Sequence, residues 1–142
     1  MQTQILSGRH YATREAIEIH YQDGIVTAIR PAAKPPGEDV WIAPALVDLQ
    51  INGYGGVDFQ SDDLTSAELL RATRALRAAG CSRFFFTLIT DHWPRLLARL
   101  SRARAMRDQS EELRSAITGW HIEGPFLSAV PGFCGAHNPE YM

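Results

Sequence analysis

Cys81-Ser82-Arg83-Phe84-Phe85-Phe86-Thr87-Leu88-Ile89-Thr90 is the stretch on which the fold turns. A nearly continuous apolar run of this length predicts a strand buried on both faces, the signature of a parallel sheet. On its N-terminal side, Thr65 with Glu68 three residues later forms a capping box. Leu69, Leu70, Thr73 and Leu76 then mark one helical face, which Gly80 closes. On its C-terminal side, Pro94 suits the first turn of a second helix, and Leu96, Leu97, Leu100 and Ala103 recur at helical spacing. Further out, residues 45–52 read as a strand ending in polar side chains and the glycine-rich Gly53-Tyr54-Gly55-Gly56, and residues 116–123 read as a third strand. The order βαβαβ demands a parallel sheet with right-handed crossovers. Either an open doubly wound sheet or the opening segment of a closed barrel can host it.

Residues 1–43 have another texture. Ala16-Ile17-Glu18-Ile19-His20-Tyr21 alternates with period two, Gly24 supplies a tight turn, and Ile25-Val26-Thr27-Ala28-Ile29 completes a hairpin. Pro31, Pro35, Pro36 and Gly37 interrupt regular structure before a short strand, Val40-Trp41-Ile42-Ala43. A β module of about three strands is too small to hold a core alone.

Composition narrows the function classes. Hydrophobic residues make up 45% of the 142, enough to exclude disorder as the main description. A net charge of −2 offers no cationic footprint for nucleic acid and no polybasic signature for a membrane surface, so neither partner is expected. Eight arginines between Arg71 and Arg107, Arg83 set aside, recur mostly at helical spacing and read as a solvated helix face. Cys81 and Cys134 form no CxxC or Cys/His framework, which argues against a structural zinc site or a disulfide scaffold. Cys81 reads as a small buried hydrophobe, and Trp41, Trp93 and Trp120 as core or rim packing. The N-terminus has no secretory pattern and the longest apolar run is far below the ~18 residues that cross a bilayer; a cytoplasmic location is expected.

Chemistry concentrates near the end of the chain. In His121-Ile122-Glu123-Gly124-Pro125-Phe126-Leu127, Glu123 sits at the carboxyl end of a parallel strand, where such sheets place their ligands, and Gly124-Pro125 forces a turn immediately afterwards. His121 lies two residues before it, so both side chains share a face; Gln50 and Asn52 have the same relation on the first strand. Gln50 and Asn52 either line a site or anchor the glycine loop. His121 is read first as a satisfied interior histidine, with a metal-ligand role as the alternative. The glycines after the first strand spell neither GxGxxG nor GxxxxGK[ST], so nothing indicates a nucleotide-phosphate loop.

These residues carry a resemblance. Ala43-Pro44-Ala45-Leu46-Val47-Asp48-Leu49-Gln50-Ile51-Asn52-Gly53 with Gly55-Gly56, Thr87-Leu88-Ile89-Thr90-Asp91, and the string around Glu123 followed by Gly135-Ala136-His137-Asn138-Pro139 together resemble the N-terminal portion of the N-acetylglucosamine-6-phosphate deacetylases, of the amidohydrolase superfamily. The resemblance implies an α/β architecture: a small N-terminal β-sandwich segment over residues 1–43, then the first three strands and two helices of a (β/α)8 barrel over residues 44–142. It implies a metal-dependent amide hydrolase that converts N-acetylglucosamine-6-phosphate to glucosamine-6-phosphate and acetate. Glu123 would ligate one divalent metal ion, zinc before others, and Ala136 and His137 would contact an amino-sugar phosphate. Gln50-Ile51-Asn52 stands where many amidohydrolases have a His-x-His pair, which favours a single-metal site. The spacer from Glu123 to His137, containing Pro131-Gly132-Phe133-Cys134, is a couple of residues longer than in the best-known members. Two histidine ligands and the catalytic aspartate are expected beyond residue 142, so no catalytic acid/base is assigned within the chain, which reads as an inactive fragment. Homodimerisation is expected of the full-length form. The alternatives are an amidohydrolase with another amide substrate, and a non-catalytic α/β domain that closes its sheet by oligomerising.

Overall fold

The computed structural model describes residues 2–33 and 40–142, so the break expected at Pro35, Pro36 and Gly37 lies outside the described residues. The chain divides into two compact units, between Pro44 and Ala45.

In the first unit the period-two alternation does form a hairpin. Strands β1 (Gln4–His10), β2 (Ala16–Gln22), β3 (Ile25–Pro31) and β4 (Trp41–Ile42) make one sheet in the order β3-β2-β1-β4. Antiparallel pairing joins β1 to β2 and β2 to β3, while β4 runs parallel to β1. Asp23 and Gly24 form the two-residue turn, both at positive φ, whose twist matches that of the flanking strands. Pro31 ends β3 on the sheet's edge, where a missing N–H breaks no ladder. The expected module of about three strands has, among the described residues, four strands in a single layer. Gln4–His10 adds a strand that pairs with β2 from Ala16 to Tyr21, and Ile25, Val26 and Ile29 of β3 are exposed.

The second unit contains β5 (Leu46–Ile51), a two-rung hairpin of β6 (Gly53–Tyr54) and β7 (Val57–Asp58), α1 (Ser66–Ala78), β8 (Cys81–Ile89), α2 (Trp93–Asp108), α3 (Glu111–Ala116) and β9 (Ile117–Glu123). A 3₁₀ turn, Pro139–Tyr141, follows. The sheet is parallel, in the order β5-β8-β9, with the apolar strand β8 at its centre. Phe84, Phe86 and Leu88 of β8 enter one core with Leu69 and Leu76 of α1, Leu113 of α3 and Phe59. The Phe59 ring lies flat on Phe86, with centroids 4.6 Å apart and an interplanar angle of 6°.

Four expectations are corrected here. Strand β8 is not buried evenly: Arg83 is exposed and Phe85 and Ile89 only half-buried, because the helices cover the Phe84, Phe86 and Leu88 face. The third strand begins at Ile117, since Ala116 closes a third helix that the expected count of two omits. A six-residue helix with only Leu113 and Ala116 buried is too short for apolar periodicity to show; Ser110, whose side chain accepts from the Leu113 N–H, and Glu111 and Glu112 in the first turn are its true signals. The arginines are not one solvated face. Arg74 and Arg77 converge on Glu112, joining α1 to α3, Arg107 donates to the Ile117 carbonyl at 2.9 Å, and Arg99 is nearly buried. Of the three tryptophans only Trp120 packs on the core; Trp41 and Trp93 are half-exposed. Cys81 is buried, as its apolar setting implies.

At the start of α1, Thr65 Oγ1 accepts from the Glu68 N–H while Glu68 Oε2 accepts from the Thr65 N–H, completing the capping box. Replacing Thr65 with alanine orphans that donor, and a loss of about 1 kcal/mol in urea unfolding is expected. The Glu112 carboxyl lies below its ordinary value of 4.5, chiefly through the hydrogen bonds from Arg74 and then the charges of Arg74 and Arg77, which outweigh burial. A depressed carboxyl contributes stability that is fully present above its unfolded pKa and is lost as pH falls through the folded one. Glu112→Gln is therefore expected to flatten the decline of the urea midpoint below about pH 4.5, measured as midpoint against pH.

Candidate functional site

The carboxyl ends of the three parallel strands gather the polar side chains. The register of β8 with β9 sets Phe85 opposite Gly119, Thr87 opposite His121 and Ile89 opposite Glu123, so these alternate residues share one face. The Phe85 ring lies over Gly119: a Cβ would come within 2.8 Å of that ring, so a larger residue would have to displace it. His121 Nδ1 lies 3.5 Å from Thr87 Oγ1, which itself accepts from the Ile51 N–H at 2.9 Å and so bridges the irregularity in β5.

Glu123 ends β9 with both carboxylate oxygens engaged. Gln50 Nε2 donates to Oε2 at 2.8 Å from β5, and His137 Nε2 lies 3.3 Å from Oε1. On its other side the His137 ring is tied to β8, with Nδ1 3.0 Å from Thr90 Oγ1, and the Thr90 hydroxyl donates to the Glu123 carbonyl at 3.1 Å. Gly124 occupies φ 98°, and a Cβ on it would run into Thr90 Oγ1. Only glycine fits there, so the turn after β9 and the Thr90 hydroxyl are built around each other.

Two further groups hold these strand ends. The Gln60 amide behaves like a strand backbone: its Nε2 donates to the Thr87 carbonyl at 3.0 Å and its Oε1 accepts from the Ile89 N–H at 3.2 Å. Arg99 of α2 reaches Asp91, directly after Thr90, and Asp62, each at 2.7 Å. Burial opposes its charge, but the Asp62 hydrogen bond and the two carboxylates prevail and raise the guanidinium pKa; Asp62 in turn is lowered, first by that hydrogen bond.

Of the residues singled out in the sequence, the structure brings Glu123, His137 and Gln50 into direct contact and sets His121 on the same face two residues away. Ala136 is exposed in the turn before His137, whose N–H donates to the Cys134 carbonyl. Asn52 makes no contact with Glu123; its backbone carbonyl accepts from the Phe59 N–H, while its side-chain Nδ2 is buried without a partner. Thr90, Gln60 and the Asp91–Arg99–Asp62 network were not assigned roles by sequence reasoning. The polarity of Thr90 at the end of an apolar strand is the sequence signal that points to it. Among the described residues no three His, Cys, Asp or Glu side chains converge as a metal cluster. A carboxylate beside an imidazole suits a divalent cation as two donors of a set that needs at least three from protein.

A parallel α/β sheet with its polar residues collected at the carboxyl ends of the strands belongs to the class of protein that binds ligands at that edge. The particular homologues agree with one another. The chain is 35% identical to N-acetylglucosamine-6-phosphate deacetylase of Haemophilus influenzae over 102 residues, 71% of this chain and 25% of that protein. It is 27% identical to N-acetylgalactosamine-6-phosphate deacetylase of Escherichia coli, over 97% of this chain and 37% of that protein. Among solved structures, a mutant of N-acetyl-D-glucosamine-6-phosphate deacetylase from Mycobacterium smegmatis, in complex with N-acetyl-D-glucosamine-6-phosphate, superposes with a TM-score of 0.73 at 29% identity, covering 100% of this chain and 37% of that one. No protein-family model matches the chain. It is thus a homologue of N-acetylglucosamine-6-phosphate deacetylases and spans about a quarter of the length of the curated relatives it matches.

Thr90 is 5% exposed and its hydroxyl joins β8, β9 and the His137 loop. Thr90→Val keeps the shape and deletes the hydroxyl, leaving the Glu123 carbonyl and His137 Nδ1 short of a partner. A loss of about 1–3 kcal/mol in urea unfolding is expected, whereas Thr90→Ser should stay close to the parent.

Proposed function

We propose that this chain supplies the first strands of the active site of an N-acetylated amino-sugar-phosphate deacetylase, built as the opening of a (β/α)8 barrel, that hydrolyses N-acetylglucosamine-6-phosphate to glucosamine-6-phosphate and acetate. The observation that carries the reading is Glu123: a carboxylate at the exit of a parallel strand, oriented by Gln50 on one oxygen and His137 beside the other, within a chain homologous to deacetylases. Homology supports the reaction class, and Glu123 is the residue on which this reading places the chemistry.

In this reading Glu123 and neighbouring imidazole donors hold one divalent cation, zinc by the chemistry of carboxylate and imidazole donors. When bound, such a cation supplies Lewis acidity, polarising an acyl oxygen and making water nucleophilic near neutral pH. The residues of this chain orient and bind. Gln50 fixes the carboxylate plane, Thr90 fixes the His137 ring, and Ala136 and His137 contact the sugar phosphate. Among the described residues no three His, Cys, Asp or Glu side chains converge around Glu123, so the chain by itself lacks the donor set that the cation needs. The 142-residue chain alone is accordingly expected to show no turnover.

A second substrate has a specific observation behind it. The N-acetylgalactosamine-6-phosphate deacetylase matches along nearly the whole chain, including the loop from Glu123 to His137, so the galacto epimer is the competing substrate of the same site.

The test is a chimera in which residues 1–142 replace the matching stretch of the Mycobacterium smegmatis deacetylase, assayed for acetate release from both epimers. The folded chimera is expected to turn over one of them, and Glu123→Gln to reduce kcat about 100–1000-fold together with bound metal, the penalty for an electrostatic contact made at the reacting centre. A folded chimera equally active with Glu123→Gln sinks the assignment.

A further inference from the structure

We infer that Arg99 is a positioning residue for substrate binding. By holding Asp91 it fixes Thr90 and His92, the two residues on which the segment from His137 to Tyr141 docks, and so sets where His137 stands beside Glu123. What His137 binds rests on the deacetylase reading; the docking does not.

Three consecutive residues after β8 divide the work. Thr90 Oγ1 lies 3.0 Å from His137 Nδ1. The His92 ring meets the Tyr141 ring edge-on, with centroids 6.3 Å apart and 67° between the planes. Between His137 and Tyr141 the chain makes a short turn capped by Asn138, whose Oδ1 accepts from the Glu140 N–H at 3.0 Å. The segment is thus fastened at both ends to one tripeptide. Asp91, in the middle of that tripeptide, is bonded toward α2 instead. Its Oδ2 accepts from Arg99 Nη1 and its Oδ1 from the His92 N–H, each at 2.7 Å.

Arg99 is itself oriented. Its Nε donates to Asp62 Oδ1 at 2.7 Å, so the guanidinium is gripped on two edges by carboxylates from two different loops. A planar fork held at two points has one orientation, which the point charge of a lysine would not impose. The Arg99 side chain is 11% exposed and that of Asp91 14%, so water is a poor substitute for either. Arg95 differs: it stands 3.6 Å from Asp91 and is half-exposed, a pairing that contributes little. Glu123, meanwhile, is held by Gln50 from β5, on the side away from α2's contacts with Asp91. Losing Arg99 therefore displaces His137 and spares the carboxylate, so the damage falls on substrate affinity rather than on bound metal.

Steady-state kinetics of the chimera, with bound metal measured for each variant, test this. Arg99→Met and Asp91→Asn are each expected to raise KM about 10–100-fold, the range for losing an outer partner that orients a functional group. In both, kcat per bound metal should stay within a few-fold of the parent. Asp91→Asn keeps the side chain's size but puts an amide nitrogen in place of one of two accepting oxygens, and it carries the test if Arg99→Met fails to fold. One substitution removes a positive charge and the other a negative one, so a long-range field on a phosphate substrate would move KM in opposite directions. Arg95→Gln should stay within a few-fold. An equal rise in Arg95→Gln, an unchanged KM in folded Asp91→Asn, or a fall in bound metal and kcat with KM unchanged overturns the inference. An inactive parent chimera overturns the deacetylase reading, and the docking is then decided on the 142-residue chain. There, nuclear Overhauser contacts of Thr90 with His137 and of His92 with Tyr141 are expected in the parent and lost in Asp91→Asn, with the core amide of Ile117 still protected from exchange. Contacts that survive the substitution overturn the inference on their own.

Discussion

The pairing of β8 with β9 is the constraint from which the rest of the second unit descends. It places Ile89 opposite Glu123, so the residue after each strand's last rung, Thr90 and Gly124, meets its counterpart at the sheet's edge. Slipping the register by one residue would send Glu123 and His121 to the helix-covered face and bring Trp120 and Ile122 out of the core. The apolar packing of Phe84, Phe86 and Leu88 against α1 and α3 is what forbids that slip. Core and site are therefore one decision: the same alternation that buries aromatic rings on one face presents polar groups on the other.

The site's rigidity comes from side chains standing in for backbone. Gln60 occupies hydrogen-bonding positions at the end of β8 that another strand or water would otherwise fill, and Thr87 accepts an N–H that the interrupted β5 pairing leaves free. Glu123 is approached from β5 by Gln50 and from the following loop by His137, which fixes the carboxylate from two directions. Such support matters because a carboxylate held by two partners loses little further rotational freedom when a ligand arrives.

How much of this could be read beforehand depended on range. The apolar run around Phe84–Phe86, the capping box at Thr65 and the hairpin at Asp23-Gly24 are local signals, and each produced the element it implied. Glu123 at a strand exit followed from the strand order. The six-residue α3 was missed because two buried side chains cannot display a period, and the extra strand Gln4–His10 because its pattern is weak and its partner β2 lies across a turn. The roles of Thr90, Gln60 and Arg99 were illegible for a different reason. Each acts on residues 27 to 47 positions away, or through a salt bridge of similar reach, and nothing in a linear string says which polar side chains will meet. Sequence similarity supplied the likeness to deacetylases; only coordinates could say that Gln50, and not Asn52, touches Glu123.

The glutamine clamp on β8 also bears on the order of events during folding. Gln50 and Glu123 are separated by 73 residues and Thr90 and His137 by 47, so the constellation depends on contacts of high sequence separation. Loops of that length must close before Gln50 reaches Glu123 or Thr90 reaches His137. Amide exchange at Ile89, whose N–H is covered only once Gln60 has docked, would serve as a clock for when the domain is finished.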